Sequence, residues 1–153
     1  MGKNKLTGSE AAPLLLDKDG NMVPANGYIL MQINNPMMSV NGQTVEVDEG
    51  KGTAPMVRRD RTMLPIRAVV EAMEGIVKWD DGEKRATLEA GGNIVVMWIG
   101  KFEYIVNDAA AEMDIAPFIE NGRTFLPLRF AAENLNCRVT WINATKEILI
   151  VYS

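Results

Sequence analysis

Histidine is absent from this chain, and cysteine occurs once, at Cys137. The first absence removes the commonest general base and the commonest metal ligand together. The second means that no disulfide can close within the chain and no thiolate cluster can hold zinc. A cysteine-poor chain fits the cytosol and equally a bacterial surface that does without disulfides, so compartment stays open on this ground. Long apolar runs are also missing, and nothing approaches the ~20 residues of a membrane span. The basic start Met1-Gly2-Lys3-Asn4-Lys5 is followed only by Ala11-Ala12-Pro13-Leu14-Leu15-Leu16. That stretch is too short and too Pro-broken for a signal-peptide core, so an exported form needs a leader already removed. Positive charge is in short supply too. With 16 Lys and Arg against 20 Asp and Glu, the net charge of -4 argues against a phosphate backbone as the main partner.

What remains is a composition of 47% hydrophobic and 24% charged residues over 153 positions, that of a soluble globular chain with a real core. Its organising feature is a phrase that occurs twice. Arg61-Thr62-Met63-Leu64-Pro65-Ile66-Arg67 returns as Arg123-Thr124-Phe125-Leu126-Pro127-Leu128-Arg129, and each copy leads to a tryptophan, Trp79 or Trp141, after the same interval. A fixed offset over so many positions marks an internal repeat.

Each copy reads as hairpin, helix, hairpin. Ile29, Met31 and Ile33 alternate with Leu30 and Gln32 as a strand, and Val95, Met97 and Ile99 repeat the pattern. Asn41-Gly42 is a strong hairpin turn, matched by Asn107-Asp108. Residues around Gly50-Lys51-Gly52-Thr53 are an insertion in the first copy; their order is wrong for a phosphate loop, and a plain loop is expected. Pro65 and Pro127 can each begin a helix, since the first helical residue needs no N–H donor. Ile66, Val69, Val70 and Met73, and likewise Leu128, Ala131, Ala132 and Leu135, form the expected core stripes. Arg67 with Glu71, and Arg129 with Glu133, lie four apart on the helix surfaces. Two strands follow each helix, Ile76 to Trp79 with Arg85 to Leu88, and Arg138 to Trp141 with Glu147 to Val151.

The expected fold is therefore α+β, two β-β-α-β-β repeats with antiparallel sheet wrapped around short helices and one shared core. Repeat one covers 29–90 and repeat two 93–153, joined through Gly91-Gly92, with residues 1–28 as an arm outside both. Residues 1–13 read as mobile. Within the arm, Asp17-Lys18-Asp19-Gly20-Asn21 separates two apolar segments and predicts a short hairpin. It also imitates a calcium loop, but Met22 stands where glycine is needed and Tyr28 where the closing Glu belongs, so the turn is the better reading.

The stretch Gly122-Arg123-Thr124-Phe125-Leu126-Pro127-Leu128-Arg129-Phe130-Ala131-Ala132-Glu133, with Val139, Trp141 and Ile148 to Val151, closely resembles the stalk domain named after the N-terminal domain of copper amine oxidases. The resemblance covers roughly residues 29 to 153. It implies an antiparallel sheet around a helix, a non-catalytic role, and a place in surface or secreted proteins of Gram-positive bacteria. It does not imply copper, because the metal of those oxidases belongs to another domain and this chain has no histidine. Two departures stand out. Glu74 and Asn136 occupy the post-helix position usually held by Gly, and Arg59-Asp60 replaces the more typical Asn121-Gly122.

Candidate functional residues are few. Arg61, Arg67, Arg123 and Arg129 can fork around an anion, but their repetition favours a structural job, tying turns and Glu71 or Glu133 in place. The 10 methionines invite a copper(I) reading, yet Met31, Met73 and Met97 sit at core positions and packing explains them. Trp79 and Trp141, equivalent by repeat, are expected to be core pillars. Trp98 has the opposite parity from Val95 and Met97 and is the candidate exposed contact for a sugar or partner. Asp80, Asp81 and Glu83 lie in a turn, without sign of the paired carboxylates of glycoside hydrolysis. The function expected is a non-enzymatic extracellular structural or adhesion module without a cofactor. Its partners would be cell-surface proteins or, alternatively, cell-wall or polysaccharide glycan, with the arm adding a strand to its own sheet or to a neighbouring molecule.

Overall fold

The computed structural model describes residues 14–16 and 20–153. Residues 1–13, expected to be mobile, and Asp17 and Asp19 of the calcium-like turn lie outside the described residues. Strands β1 (Leu14–Leu16) and β2 (Met22–Pro24) form the expected hairpin, with Leu15 opposite Val23. A meander follows, β3 (Gly27–Gln32), β4 (Met37–Val40) and β5 (Gln43–Glu46). Next come β6 (Met56–Arg58), β7 (Arg61–Pro65), α1 (Ile66–Ala72), β8 (Ile76–Asp80) and β9 (Arg85–Ala90). The second half has the same order: β10 (Asn93–Trp98), β11 (Glu103–Val106), β12 (Ala109–Glu112), β13 (Phe118–Glu120), β14 (Arg123–Pro127), α2 (Leu128–Asn134), β15 (Cys137–Ile142) and β16 (Glu147–Tyr152). The chain is thus mainly antiparallel sheet with two short helices, an α+β fold.

Local chemistry accounts for the element boundaries. Asn41 and Gly42 both have positive φ, 51° and 90°, the geometry that a two-residue hairpin turn demands. Glu74 and Asn136 take φ of 66° and 52° just past the helices, the left-handed stop expected where glycine is usual. Pro65 and Pro127 are extended residues immediately before the helices, one position earlier than expected. They also end β7 and β14, the hairpin strands that the Arg-Thr phrase itself forms and that its brevity concealed.

The sheets do not follow the sequence copies. One five-stranded sheet runs β12-β11-β10-β9-β8, the other β15-β16-β3-β4-β5, and each draws strands from both halves of the chain. Between them a four-stranded sheet runs β13-β14-β7-β6, in which Leu126 lies directly opposite Leu64. The last strand pairs with the first of the meander, Ile150 opposite Ile29 and Ile148 opposite Met31. Inward residues of all three sheets and both helices meet in one cluster that includes Ile29, Met31, Leu64, Leu88, Val95, Met97, Leu126, Ile148 and Ile150. A shared core is therefore what holds the halves together, each fully buried aliphatic side chain contributing roughly 1.5–3 kcal/mol. A smaller cluster, Met63, Ile115 and Phe125, sits on the opposite face of the four-stranded sheet.

Three expectations need correction. In α1 the stripe Ile66, Val69 and Val70 is buried as expected, but in α2 Phe130, Ala131 and Asn134 are buried while Leu128 and Ala132 are only half-buried. Phe130 turns the helix because its ring packs edge-on against Tyr104, 4.9 Å between centroids. Asn134 is satisfied there, donating from Nδ2 to the Phe130 carbonyl at 3.1 Å and the Tyr104 hydroxyl at 3.3 Å.

The arm adds no strand to a larger sheet, since β1 and β2 pair only with each other among the described residues. The chain enters β3 in the middle of its sheet, flanked on both sides. It crosses a face instead. Ala25 packs on Val151, Tyr28 and Leu149, on the outer side of that sheet.

Trp79 and Trp141 are not core pillars: they are 37% and 38% exposed. Both lie on edge strands, and Trp79 shares the inward face with Val77, opposite buried Ala86. A helix of only seven residues leaves the far end of that edge uncovered.

Candidate functional site

The uncovered end beside Trp79 opens into a cavity of about 550 Å³. Its walls come from four places. The loop after β5 supplies Asp48 and Thr53, the start of α1 supplies Ile66, Arg67, Ala68 and Glu71, β8 and its turn supply Val77, Trp79, Asp81 and Lys84, and the β13–β14 hairpin supplies Ile119 and Arg123. Trp79 and Ile119, 37% and 42% exposed, are the most exposed of its large apolar residues.

Each cation on this groove is already bonded to a carboxylate. Arg123 binds Asp48 with two nitrogens, Nε to Oδ2 and Nη2 to Oδ1, the latter at 3.3 Å. Thr53 Oγ1 donates to the same carboxylate at 2.9 Å, which pins the inserted loop to the second half of the chain. Arg67 reaches Glu71 at 3.2 Å and Lys84 reaches Asp81 at 3.1 Å. Trp79 Nε1 also donates to Asp81, at 3.4 Å. The hydrogen bond from Arg123 holds the Asp48 carboxyl below the usual range, with smaller help from Thr53, and hydrogen bonds from Lys84 and Trp79 do the same for Asp81. Neither shift is toward the protonated form that a general acid requires.

The sequence-level candidates fall as follows. Arg123 and Arg61 pair with the aspartates at the ends of the two meanders, Asp48 and Asp114, each across to the other half of the chain. Arg61 holds Asp114 at 2.7 Å and lowers its carboxyl from the usual value. Arg67–Glu71 is the expected helical pair, and Arg129–Glu133 is stretched to 4.0 Å. Arg61 and Arg123 thus pair with aspartates, and not with the expected helix glutamates. Their signal was present, since Asp48 and Asp114 recur at matched positions, yet their partners lie in the opposite copy. Pro65 lines the groove, and Pro127 sits at the equivalent bend before α2.

Trp98 is half-buried on the outward side of β10, opposite Arg85, and does not line the groove. Trp141 lies at the equivalent end of β15, with Lys146 Nζ 5.9 Å from its ring centroid. Met31, Met73 and Met97 are buried in the core. Burial pushes the half-buried Cys137 thiol up to about 12, and its Sγ donates to the Ala131 carbonyl at 3.3 Å. Among the described residues no three His, Cys, Asp or Glu converge. Nor is any helix there long and apolar enough to cross a membrane.

Residues 39–150 match the family described as the copper amine oxidase N-terminal domain. A protein of Brevibacillus choshinensis named "Protease inhibitor" is 27% identical over 135 residues, 86% of this chain. The chain spans only 37% of that relative's length. No solved structure matches.

Proposed function

The chain belongs to the copper amine oxidase N-terminal domain family, and from that membership we propose that it is a non-catalytic interaction module, a stalk-like part of a surface or secreted protein. Its contact site is the groove beside Trp79, and its partner is a cell-surface protein or a cell-wall glycan. One observation carries this reading. The cavity beside Trp79 joins exposed apolar walls to a rim on which Arg67, Lys84 and Arg123 are all neutralised by carboxylates, with no histidine, cysteine or serine on it. Such a rim offers recognition, while hydrolysis or transfer would need a nucleophile with its base or a carboxyl raised toward neutrality. A relative named for inhibiting proteases supports binding over turnover. Labelled protein should bind intact Gram-positive cells saturably, and Trp79→Ala should abolish that binding while leaving the melting temperature nearly unchanged. Binding that ignores Trp79, or none, overturns the reading.

Two further contacts are part of the same proposal. Trp98, outward on β10, is an auxiliary partner contact, to be tested by Trp98→Ala in the same cell assay, where unchanged binding removes it from the site. The β1–β2 hairpin, joined to none of the larger sheets, is available for self-association. Light scattering before and after removal of residues 1–24 tests this. An oligomer that becomes a monomer supports exchange through the arm, and a monomer throughout refutes it.

A further inference from the structure

We propose that the ligand of the Trp79 groove is a neutral oligosaccharide, with the flat C–H face of a sugar ring stacked on the indole and its hydroxyls on the surrounding ion pairs. This rests on the reading of the groove as an interaction site. The choice of ligand follows from what the rim lacks and what it offers.

It lacks a free cation. An anionic ligand would have to take Arg123 from Asp48, Arg67 from Glu71 or Lys84 from Asp81, and would leave a carboxylate unpaired in exchange. A cationic ligand finds one exposed carboxylate outside these pairs, Glu49 at the lip of the groove, and would otherwise have to take Asp48, Glu71 or Asp81 from its cation. A wholly apolar ligand would strip water from these charged groups and return no hydrogen bonds. Hydroxyl groups avoid all three costs, because each can donate to a second carboxylate lone pair or accept from a guanidinium N–H that the ion pair leaves over.

What the rim offers is a tryptophan with its edge fastened. The bond from Trp79 Nε1 to Asp81 engages the indole edge, and Lys84 is drawn to the same carboxylate. The ring face is left to the groove, whose other apolar lining includes Ile119, Val77 and Ala68. A volume of about 550 Å³ is that of an ordinary small-ligand cleft, and the mixed lining suits a ligand with one apolar face and a polar edge.

The opposite end of the molecule shows that this opening is built. There Lys146 lies over Trp141, and Phe130 stands where the groove has Ala68. A single buried Ile115 separates Asp114 from Ala116, where residues 49–53 separate Asp48 from Ala54. The longer loop and the smaller side chain occur together at the end whose tryptophan faces a cavity.

Titration of the full chain with β-1,4-linked tetramers of glucose and of N-acetylglucosamine, beside tetragalacturonate as the anionic probe, tests the proposal. Saturable binding of a neutral tetramer is expected, weakened roughly tenfold or more by Trp79→Ala. Ala68→Phe, which fills the groove from the helix side, should weaken it similarly and covers the case in which the tryptophan variant is unstable. Trp141→Ala should leave it unchanged. Failure of both neutral tetramers to bind, tighter binding of tetragalacturonate, or affinity indifferent to both groove variants overturns the proposal. If the tetramers are silent while Trp79→Ala still abolishes binding to intact cells, the glycan assignment falls and a protein partner is favoured. Silence in both assays overturns the groove as an interaction site as well.

Discussion

The two ends of this molecule start from the same phrase and finish differently. At one, Arg123 holds Asp48, and a five-residue loop with Ala68 leaves Trp79 facing open space. At the other, Arg61 holds Asp114, Ile115 is buried, and Phe130 packs on Tyr104. The charged ties are conserved between the ends, and the volume is not. One end is therefore filled and the other open on matched backbone pairing, because pairing fixes the strands while side-chain size and loop length set the volume.

The sharpest way to break this contrast is to empty the filled end. Phe130→Ala removes a ring that is 2% exposed, and should destabilise by about 3–5 kcal/mol. Because the core is shared, calorimetry should show one lowered transition, and two separated transitions would refute a common core.

Gly27 and Asn93 hold matched positions and sharpen the comparison further. Any Cβ at Gly27 would meet Asn41 Oδ1 and the Tyr152 hydroxyl, which are joined by a buried hydrogen bond of 3.0 Å from Asn41 Nδ2. Asn93 carries a side chain at that place, which accepts from Asn107 Nδ2 at 2.9 Å and donates to the Asn134 carbonyl at 2.8 Å. Gly27→Ala should cost about 1–3 kcal/mol through overpacking, whereas Asn93→Ala should act by losing its two hydrogen bonds, about 0.5–1.5 kcal/mol each, as compared by urea denaturation.

The turns differ as well. Arg59 and Asp60 sit at φ of 53° and 62°, in the place where the other half has Asn121 and Gly122. Replacing Arg59-Asp60 by Asn-Gly should stabilise by about 1 kcal/mol, since both new residues tolerate positive φ better. An unchanged or lower denaturation midpoint would show that this turn carries no strain.

The smallest effect separates the two ion pairs by pH. The hydrogen bond from Arg123 lowers the Asp48 carboxyl in the folded state. Its contribution is therefore complete above the unfolded value of about 3.9 and is lost as pH falls through the lower folded one. With Arg123 at 38% and Asp48 at 19% side-chain exposure, no more than ~1 kcal/mol is expected. The stability gap between the natural chain and Arg123→Ala should narrow between pH 5 and pH 2 on the order set by that carboxylate. Arg61→Ala, at the more exposed pair, should show a smaller gap. A gap independent of pH would mean that Arg123 acts through packing alone.

Much of this was legible before the structure. The alternation of Ile29 and Met31 with Leu30 and Gln32, the Asn41-Gly42 turn, the stripe of Ile66, Val69 and Val70 and the left-handed stops at Glu74 and Asn136 are all local consequences of residue type. Period and turn chemistry depend on neighbours a few positions away, so the chain states them directly. Which strand lies beside which is another matter. β16 pairs with β3 and β9 with β10, although either repeat taken alone offers strands of the same period. Pairing, and with it which strands become edges, is decided only when the halves meet over one core. The exposure of Trp79 follows from that decision: its parity in β8 points inward, but its strand is an edge and its helix is short. The groove, and the cross-pairing of Asp48 with Arg123 that bounds it, exist because distant segments converge there, which no local pattern can announce.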